Sequence, residues 1–231
     1  MRVSAIVVAA GNGSRMGGGL SKQYIKIAGR TILGHTLAAL LAMQEICELV
    51  VVTPKKDTDW VRDVLIPEEA KGMLNGRRLK VTPGAETRQL SVGAGLASIN
   101  KTSGLVLVHD GVRPFVEALH MRQVLAAAEA SGAAVLGVPP GDTIKRIDGE
   151  KVATLPRDGL FSVQTPQVFL TQLLLDAHEY ARLNKIEATD DSSLVELMLG
   201  SCVRIIEGSR INFKITTQED LALARAILEK T

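Results

Sequence analysis

The chain has 231 residues, 46% hydrophobic and 23% charged, the balance of a globular protein with room for one large domain or two small ones. Its 27 Lys and Arg against 25 Asp and Glu leave a net charge of +2, and aromatic residues are only 3%, which argues against nucleic acid, base-stacking platforms and anionic membrane surfaces as partners. No apolar run approaches the ~20 residues that span a bilayer, no signal-peptide cleavage pattern is present, and Cys47 and Cys202 make neither a disulfide framework nor a zinc site, so a cytoplasmic location is expected.

The first apolar run, residues 3–9, leads into Ala9-Ala10-Gly11-Asn12-Gly13-Ser14-Arg15-Met16-Gly17-Gly18-Gly19-Leu20-Ser21-Lys22-Gln23. Helical patterns follow at 31–43, 58–65, 86–99 and 117–131, separated by strand-like runs at 49–53, 79–82, 105–109 and 133–138. Residues 139–157 break this alternation. Asp148-Gly149 between two β-like runs is a hairpin signal, and a two-stranded arm is marginal alone, so it should lean on something such as a second subunit. Helices are expected at 171–184, 191–199 and 218–229, with a weak strand at 203–207; Thr217 and Asp220 have the spacing of a capping box. Continuous apolar strands alternating with helices predict an α/β protein. The expected form is a doubly wound, mostly parallel sheet in one domain over 1–231 with a protruding β-hairpin arm. Ligands of such sheets bind beyond the carboxyl ends of the strands.

The glycine-rich stretch admits three readings. A dinucleotide fingerprint fails because Met16 occupies the third glycine position and Thr53-Pro54, not an acid, closes the second strand. A P-loop needs Gly-Lys-Ser/Thr, whereas Lys22 lies between Ser21 and Gln23. A phosphate-cradling loop with two cations, Arg15 and Lys22, remains, against the alternative of a flexible surface loop with solvated charges.

Five motifs in order resemble the 2-C-methyl-D-erythritol 4-phosphate cytidylyltransferase family, a sugar-nucleotidyltransferase-like group of the non-mevalonate isoprenoid pathway. They are the glycine loop through Ser21-Lys22-Gln23-Tyr24; Arg88-Gln-Leu-Ser91; His109-Asp110-Gly111-Val112-Arg113-Pro114; Arg157-Asp-Gly through Thr165-Pro166-Gln167; and Thr189-Asp190-Asp191 with Asn212-Phe213-Lys214. The resemblance implies a Rossmann-like nucleotidyltransferase fold. It also implies transfer of a cytidylyl group from CTP to a polyol phosphate, with release of pyrophosphate and a divalent cation, Mg2+ or another, as cofactor. A phosphate monoester is largely ionised at pH 7, its second pKa being about 6. No general base is needed, and none of the four histidines has relay spacing. The obstacle is repulsion between anions, which fixed cations must offset.

By the same resemblance Arg15, Lys22, Arg157 and Lys214 are catalytic, and Ala9, Ala10, Gly11, Gly13, Gly84, Ala85, Glu86, Ser91 and Gly111 bind CTP. Thr143, Thr165, Thr189 and Asp190 bind the polyol phosphate, and Asp110 holds the metal; turn chemistry alone leaves Asp110 equally open to a role in accepting local N–H groups. Arg88 is expected to orient the glycine loop, Arg113 to tie its own loop to a carboxylate, and His109 to be structural. The arm is expected to reach across a homodimer and bring Arg157 to the partner's site. Ile211 stands where the family commonly has an acid. The nearest alternative is a ribitol 5-phosphate cytidylyltransferase, disfavoured by Ala9-Ala10-Gly11 and Ser91-Val92-Gly93. A non-catalytic nucleotide-binding module is more remote, because a mere binder has no need of cations on both reacting phosphates.

Overall fold

The computed structural model describes residues 2–11, 21–200 and 203–229. Seven strands form the central sheet in the order β11-β7-β10-β6-β1-β4-β5. These are β1 (Val3–Val8), β4 (Ile46–Thr53), β5 (Arg78–Pro83), β6 (Leu105–Asp110), β7 (Ala133–Val138), β10 (Ser162–Leu170) and β11 (Arg204–Glu207). All neighbouring pairs are parallel except those of β10, which runs antiparallel between β6 and β7.

Alternation along β1 divides the core. Val3, Ala5 and Val7 face α1 (Ile32–Leu41) and α5 (Ala118–Ser131) in one apolar cluster. Ile6 faces α4 (Arg88–Ser98), α6 (Thr171–Asn184) and α7 (Asp191–Leu199) in a second. Burial on both faces is what continuous apolar strands require. A third, smaller cluster joins Ile32, Val112 and Ile215 to α8 (Gln218–Leu228), whose Thr217–Asp220 capping box is present. Between β4 and β5 a helical segment runs through α2 (Thr58–Trp60), a π-helical turn (Val61–Leu65) and α3 (Ile66–Glu69).

Three strands escape the sequence reading. The pair β2 (Lys26–Ile27) and β3 (Arg30–Thr31) is too short for a period to register. β10 carries Pro166 at its middle, which normally argues against an interior strand. Here the ladder to β7 shifts register between Val163 and Gln167, and the shift accommodates the missing N–H. The arm is a separate hairpin, β8 (Ile144–Asp148) with β9 (Lys151–Leu155), turning at Gly149 with φ +58°. Ile147 and Val152 on it are 71% and 64% exposed. No helix among the described residues is long and apolar enough to cross a membrane.

The chain leaves β1 for β4 and β5 on one side and returns to β6 on the other. This reversal puts a crevice at the carboxyl ends of β1 and β6.

Candidate active site

Val8 and Asp110 are paired at the ends of β1 and β6. Around them, residues 8–11, 85–88 and 91, 110 and 112, and 214 and 216 join Lys22 and Gln23 in lining a cavity of about 290 Å3. Two glycines permit this close approach. A Cβ on Gly84 would lie 2.5 Å from Ala10 Cβ, and one on Gly111 would lie 2.9 Å from Ala9 Cβ, distances no real pair of side chains adopts. Gln23, 1% exposed, fixes the exit from β1 by donating from Nε2 to the carbonyls of Ala9 (2.8 Å) and Gly11 (3.3 Å).

The third wall is the start of α4. Thr87 caps it by accepting from Leu90 N–H, and Ser91 Oγ accepts from Ala85 N–H at 3.0 Å, folding residues 84–86 over the first turn. Ala85, Glu86 and Ser91 all line the cavity. Free N–H groups at such a terminus favour anions and acceptors.

Electrostatically the centre is Asp110, 5% exposed. Lys214 Nζ lies 3.1 Å and Arg113 Nε 3.2 Å from its Oδ2, and Arg88 Nε lies 3.5 Å from its Oδ1. Burial alone would push this carboxyl up, but Lys214, Arg88 and Arg113 outweigh it and hold the group well below the usual carboxylate range. Three cations meet at this carboxylate, one of them shared with Asp191, in a cavity that Lys22 and Glu86 also line. Arg88 is fixed from behind: Nη1 meets Asp191 Oδ2 at 2.7 Å, and Asp191 Oδ1 lies 3.1 Å from His178 Nε2. Arg113 reaches on to the Asn212 carbonyl at 2.8 Å. Beside Asp110, burial pushes the His109 imidazole down to about 4.

The structure therefore brings Ala9, Ala10, Gly11, Lys22, Ala85, Glu86, Ser91, Asp110 and Lys214 to one cavity, with Gly84 and Gly111 packed directly behind it. Gly13 and Arg15 lie outside the described residues. Two of the expected substrate residues have protein partners of their own. The Thr165 hydroxyl, 4% exposed, accepts from Asp110 N–H and faces His109 Nδ1, directly beside the cavity-lining Asp110. Asp190 is the N-cap of α7, its carboxylate accepting from Ser193 N–H, Gln167 Nε2 and Ser192 Oγ; burial opposes its ionisation, yet these bonds hold its carboxyl below the ordinary value. Thr143, Arg157 and Thr189 are exposed and do not line the cavity; Arg157 Nη1 bonds the Gly141 carbonyl at 2.9 Å. Arg88 serves Asp110 and Asp191, while Gln23 anchors the glycine stretch. A polar side chain next to Lys22 was the available signal for Gln23; Thr87 and Thr216 gave none beyond helix capping. Ile211 is 52% exposed and outside the cavity lining.

A divalent ion must be weighed against these donors. Among the described residues no group of three His, Cys, Asp or Glu could hold one. Mg2+ commonly takes one or two carboxylates and completes its shell with water and substrate phosphates. Two carboxylates at most, Asp110 and Glu86, in a cavity that also holds Lys22 and Lys214 fit an ion delivered on a triphosphate, and do not fit one caged by protein alone.

The chain is similar to known proteins over nearly its whole length. The family model described as "IspD: 2-C-methyl-D-erythritol 4-phosphate cytidylyltransferase" matches residues 3–230. The chain is 41% identical over 230 residues to the 2-C-methyl-D-erythritol 4-phosphate cytidylyltransferase of Desulforamulus reducens, covering 99% of this chain and 96% of that protein. It is 46% identical over 226 residues to the bifunctional enzyme IspD/IspF of Desulforudis audaxviator, covering 97% of this chain but 56% of that longer protein. The crystal structure of 4-diphosphocytidyl-2C-methyl-D-erythritol synthase from Anaerococcus prevotii superposes with a TM-score of 0.86 at 34% identity, covering 99% of this chain and 96% of that one.

Proposed function

The chain belongs to the 2-C-methyl-D-erythritol 4-phosphate cytidylyltransferase family, and from that premise we propose that the cavity shared by Lys22, Asp110 and Lys214 is where CTP and the polyol phosphate react. The protein transfers the cytidylyl group of CTP to 2-C-methyl-D-erythritol 4-phosphate, giving 4-diphosphocytidyl-2-C-methyl-D-erythritol and pyrophosphate. The observation that carries the site assignment is the convergence of Arg88, Arg113 and Lys214 on the buried Asp110 carboxylate, with Lys22 in the same cavity, at the strand crossover.

Residues 84–86 and Ser91 shape the nucleoside end against α4, and backbone at 9–11 meets the phosphates. Lys22, with Arg15 from the glycine stretch, offsets the triphosphate charge and stabilises the charge that develops at the α-phosphorus. Lys214 stands beside Asp110, between that carboxylate and the incoming phosphate oxygen. A divalent cation such as Mg2+, bound to the triphosphate and held by Asp110, would supply further charge compensation. The acceptor needs no deprotonation, so positioning and electrostatics account for the rate.

The arm extends the reading to a homodimer. Ile147 and Val152 leave apolar surface on a hairpin too small to be stable alone. Thr143 and Arg157 flank it outside the cavity of their own chain, consistent with service to a partner's cavity.

The test is pyrophosphate release from CTP and Mg2+ with methylerythritol 4-phosphate and ribitol 5-phosphate in parallel. Turnover with the first and not the second is expected; turnover with ribitol 5-phosphate alone would replace the acceptor assignment. No turnover with either, in folded protein that binds CTP, would remove the site assignment.

A further inference from the structure

Lys22 opens a single 3-10 turn, Lys22–Tyr24. Tyr24 N–H donates to the Ser21 carbonyl at 2.9 Å and Ile25 N–H to the Lys22 carbonyl at 3.1 Å. So short a turn is held in place mainly by what it touches, and the flexible four-carbon stem of a lysine adds freedom of its own. Where the Lys22 ammonium stands relative to the end of β1 therefore depends on the anchors of the turn. Two neighbouring side chains supply them. Tyr24, 7% exposed, sets its ring edge-on to Trp60 with centroids 5.0 Å apart, in the same apolar cluster as Val7 and Ala9. Gln23, 1% exposed, reaches the strand exit itself.

A primary amide nitrogen carries two hydrogens. Those of Gln23 Nε2 go to the carbonyls of Ala9, at 2.8 Å, and Gly11, at 3.3 Å. Ala9 is tied in turn to β4, its N–H donating to the Val52 carbonyl at 2.7 Å. The Lys22 turn, the strand exit and β4 are thus joined through one side chain. Because the trans peptide is planar, turning the Ala9 carbonyl to Gln23 turns the N–H of cavity-lining Ala10 the opposite way. Carbonyl oxygens are the wrong sign for a phosphate, and here two of them end on the Gln23 amide. Gln23 also lines the cavity. It has no donor left for a phosphate oxygen, since both Nε2 hydrogens are engaged and Oε1 can only accept.

We infer that Gln23 is a positioning residue: by tying the Lys22 turn to the carbonyls of Ala9 and Gly11 it sets where the Lys22 ammonium meets the phosphates, and it does not bind phosphate itself. The inference rests on the cavity being the cytidylyl-transfer site. Removing the amide leaves two carbonyls of the strand exit without their donor and lets the turn shift against β1. A small displacement of a charge aimed at the reacting phosphorus acts on the chemical step more than on ground-state binding.

A double-mutant cycle with Lys22 tests this, kcat and KM for CTP being measured in each protein. Gln23→Met, close to glutamine in length but without a donor, is expected to lose about 10- to 100-fold in kcat, with KM for CTP within about threefold of the parent. In a Lys22→Ala background the same change is expected to cost less than about threefold, because the group it positions is gone. Gln23→Asn, too short to span both carbonyls, should fall between the parent and Gln23→Met, and it runs the same cycle if the methionine variant does not fold. In the unmodified protein, scalar couplings across the hydrogen bonds from Gln23 Nε2 to the Ala9 and Gly11 carbonyls should persist when CTP binds. A rise in KM for CTP with kcat intact, or loss of both couplings on CTP binding, would overturn the inference, because Gln23 would then be a phosphate contact. An equal loss of kcat with and without Lys22 would overturn it too. Unmodified protein silent with every polyol phosphate would overturn the cavity assignment and the role of Gln23 together, whereas the cycle and the couplings bear on the role alone.

Discussion

Lys22 and Asp110 share one cavity but have opposite stakes in it. A lysine aimed at developing phosphate charge matters most in the transition state, so Lys22→Ala should lower kcat about 100- to 1,000-fold with a smaller change in KM for CTP; a pure KM effect would make Lys22 a ground-state binder. Asp110 is different, because Lys214, Arg88 and Arg113 all face it. Asp110→Asn leaves those charges to repel one another, and a loss of about 3 kcal/mol in denaturant-measured stability is expected alongside lost activity. Its depressed pKa gives the sign of the acid response: the stabilising charge is fully present above about 4, where the unfolded carboxyl ionises, and is lost as pH falls below that. His109 has a different window. Its folded value of about 4, set first by burial with Asp110 and Arg113 as lesser influences, lies below the unfolded value of about 6.5. The unfolded chain thus takes up the proton first, and roughly 3 kcal/mol present above pH 6.5 should be lost progressively down to pH 4. Urea titrations between pH 4 and 7, with and without His109→Asn, check this; equal slopes against pH in the two proteins would refute it. At this scale the sequence singled out Lys22, Asp110 and Lys214, which the structure brings to one cavity, but could not show the protein partners of each hydroxyl or carboxylate. Thr165 and Asp190 sit in motifs that resemble substrate contacts, and both also bond to protein partners that only the fold brings near.

Elements were more legible than side-chain direction. The helices α6 and α7 fall on the expected residues because apolar periodicity and the start of α7 at a polar, capping-competent stretch agree. β10 was invisible because Pro166 breaks the local signal, and only the register shift against β7 makes a strand possible there. That strand matters to function, since it carries Thr165 into contact with β6. The capping role of Asp190 gives a prediction at this scale. Asp190→Ala removes the acceptor of the Ser193 N–H and should cost about 1 to 2 kcal/mol in thermal or denaturant stability. KM for the polyol phosphate should change by less than about threefold. A large rise in that KM with stability unchanged would restore Asp190 to the substrate.

At the scale of the whole molecule, the alternation of strands and helices was enough to predict a doubly wound sheet, and its reversal between β1 and β6 places the cavity. The order of the outer strands was not available from the sequence, because the antiparallel β10 enters from a part of the chain with no strand signal. The arm projects from that same outer half, between β7 and β10. It contributes little to its own chain's core: Ile147 and Val152 are 71% and 64% exposed, and the two strands pair only with each other. Deleting residues 144–155 with a short glycine-serine connection should therefore leave the thermal stability of the remaining fold nearly unchanged while weakening self-association, measured by sedimentation across a concentration series. If Arg157 serves a partner's cavity, the same deletion lowers turnover at protein concentrations where the intact chain is dimeric, and CTP affinity stays close to the parent value because Lys22, Ser91 and Lys214 come from one chain. A truncated protein that remains fully dimeric would locate the interface elsewhere, and a truncated monomer with full activity would confine the active site to a single copy.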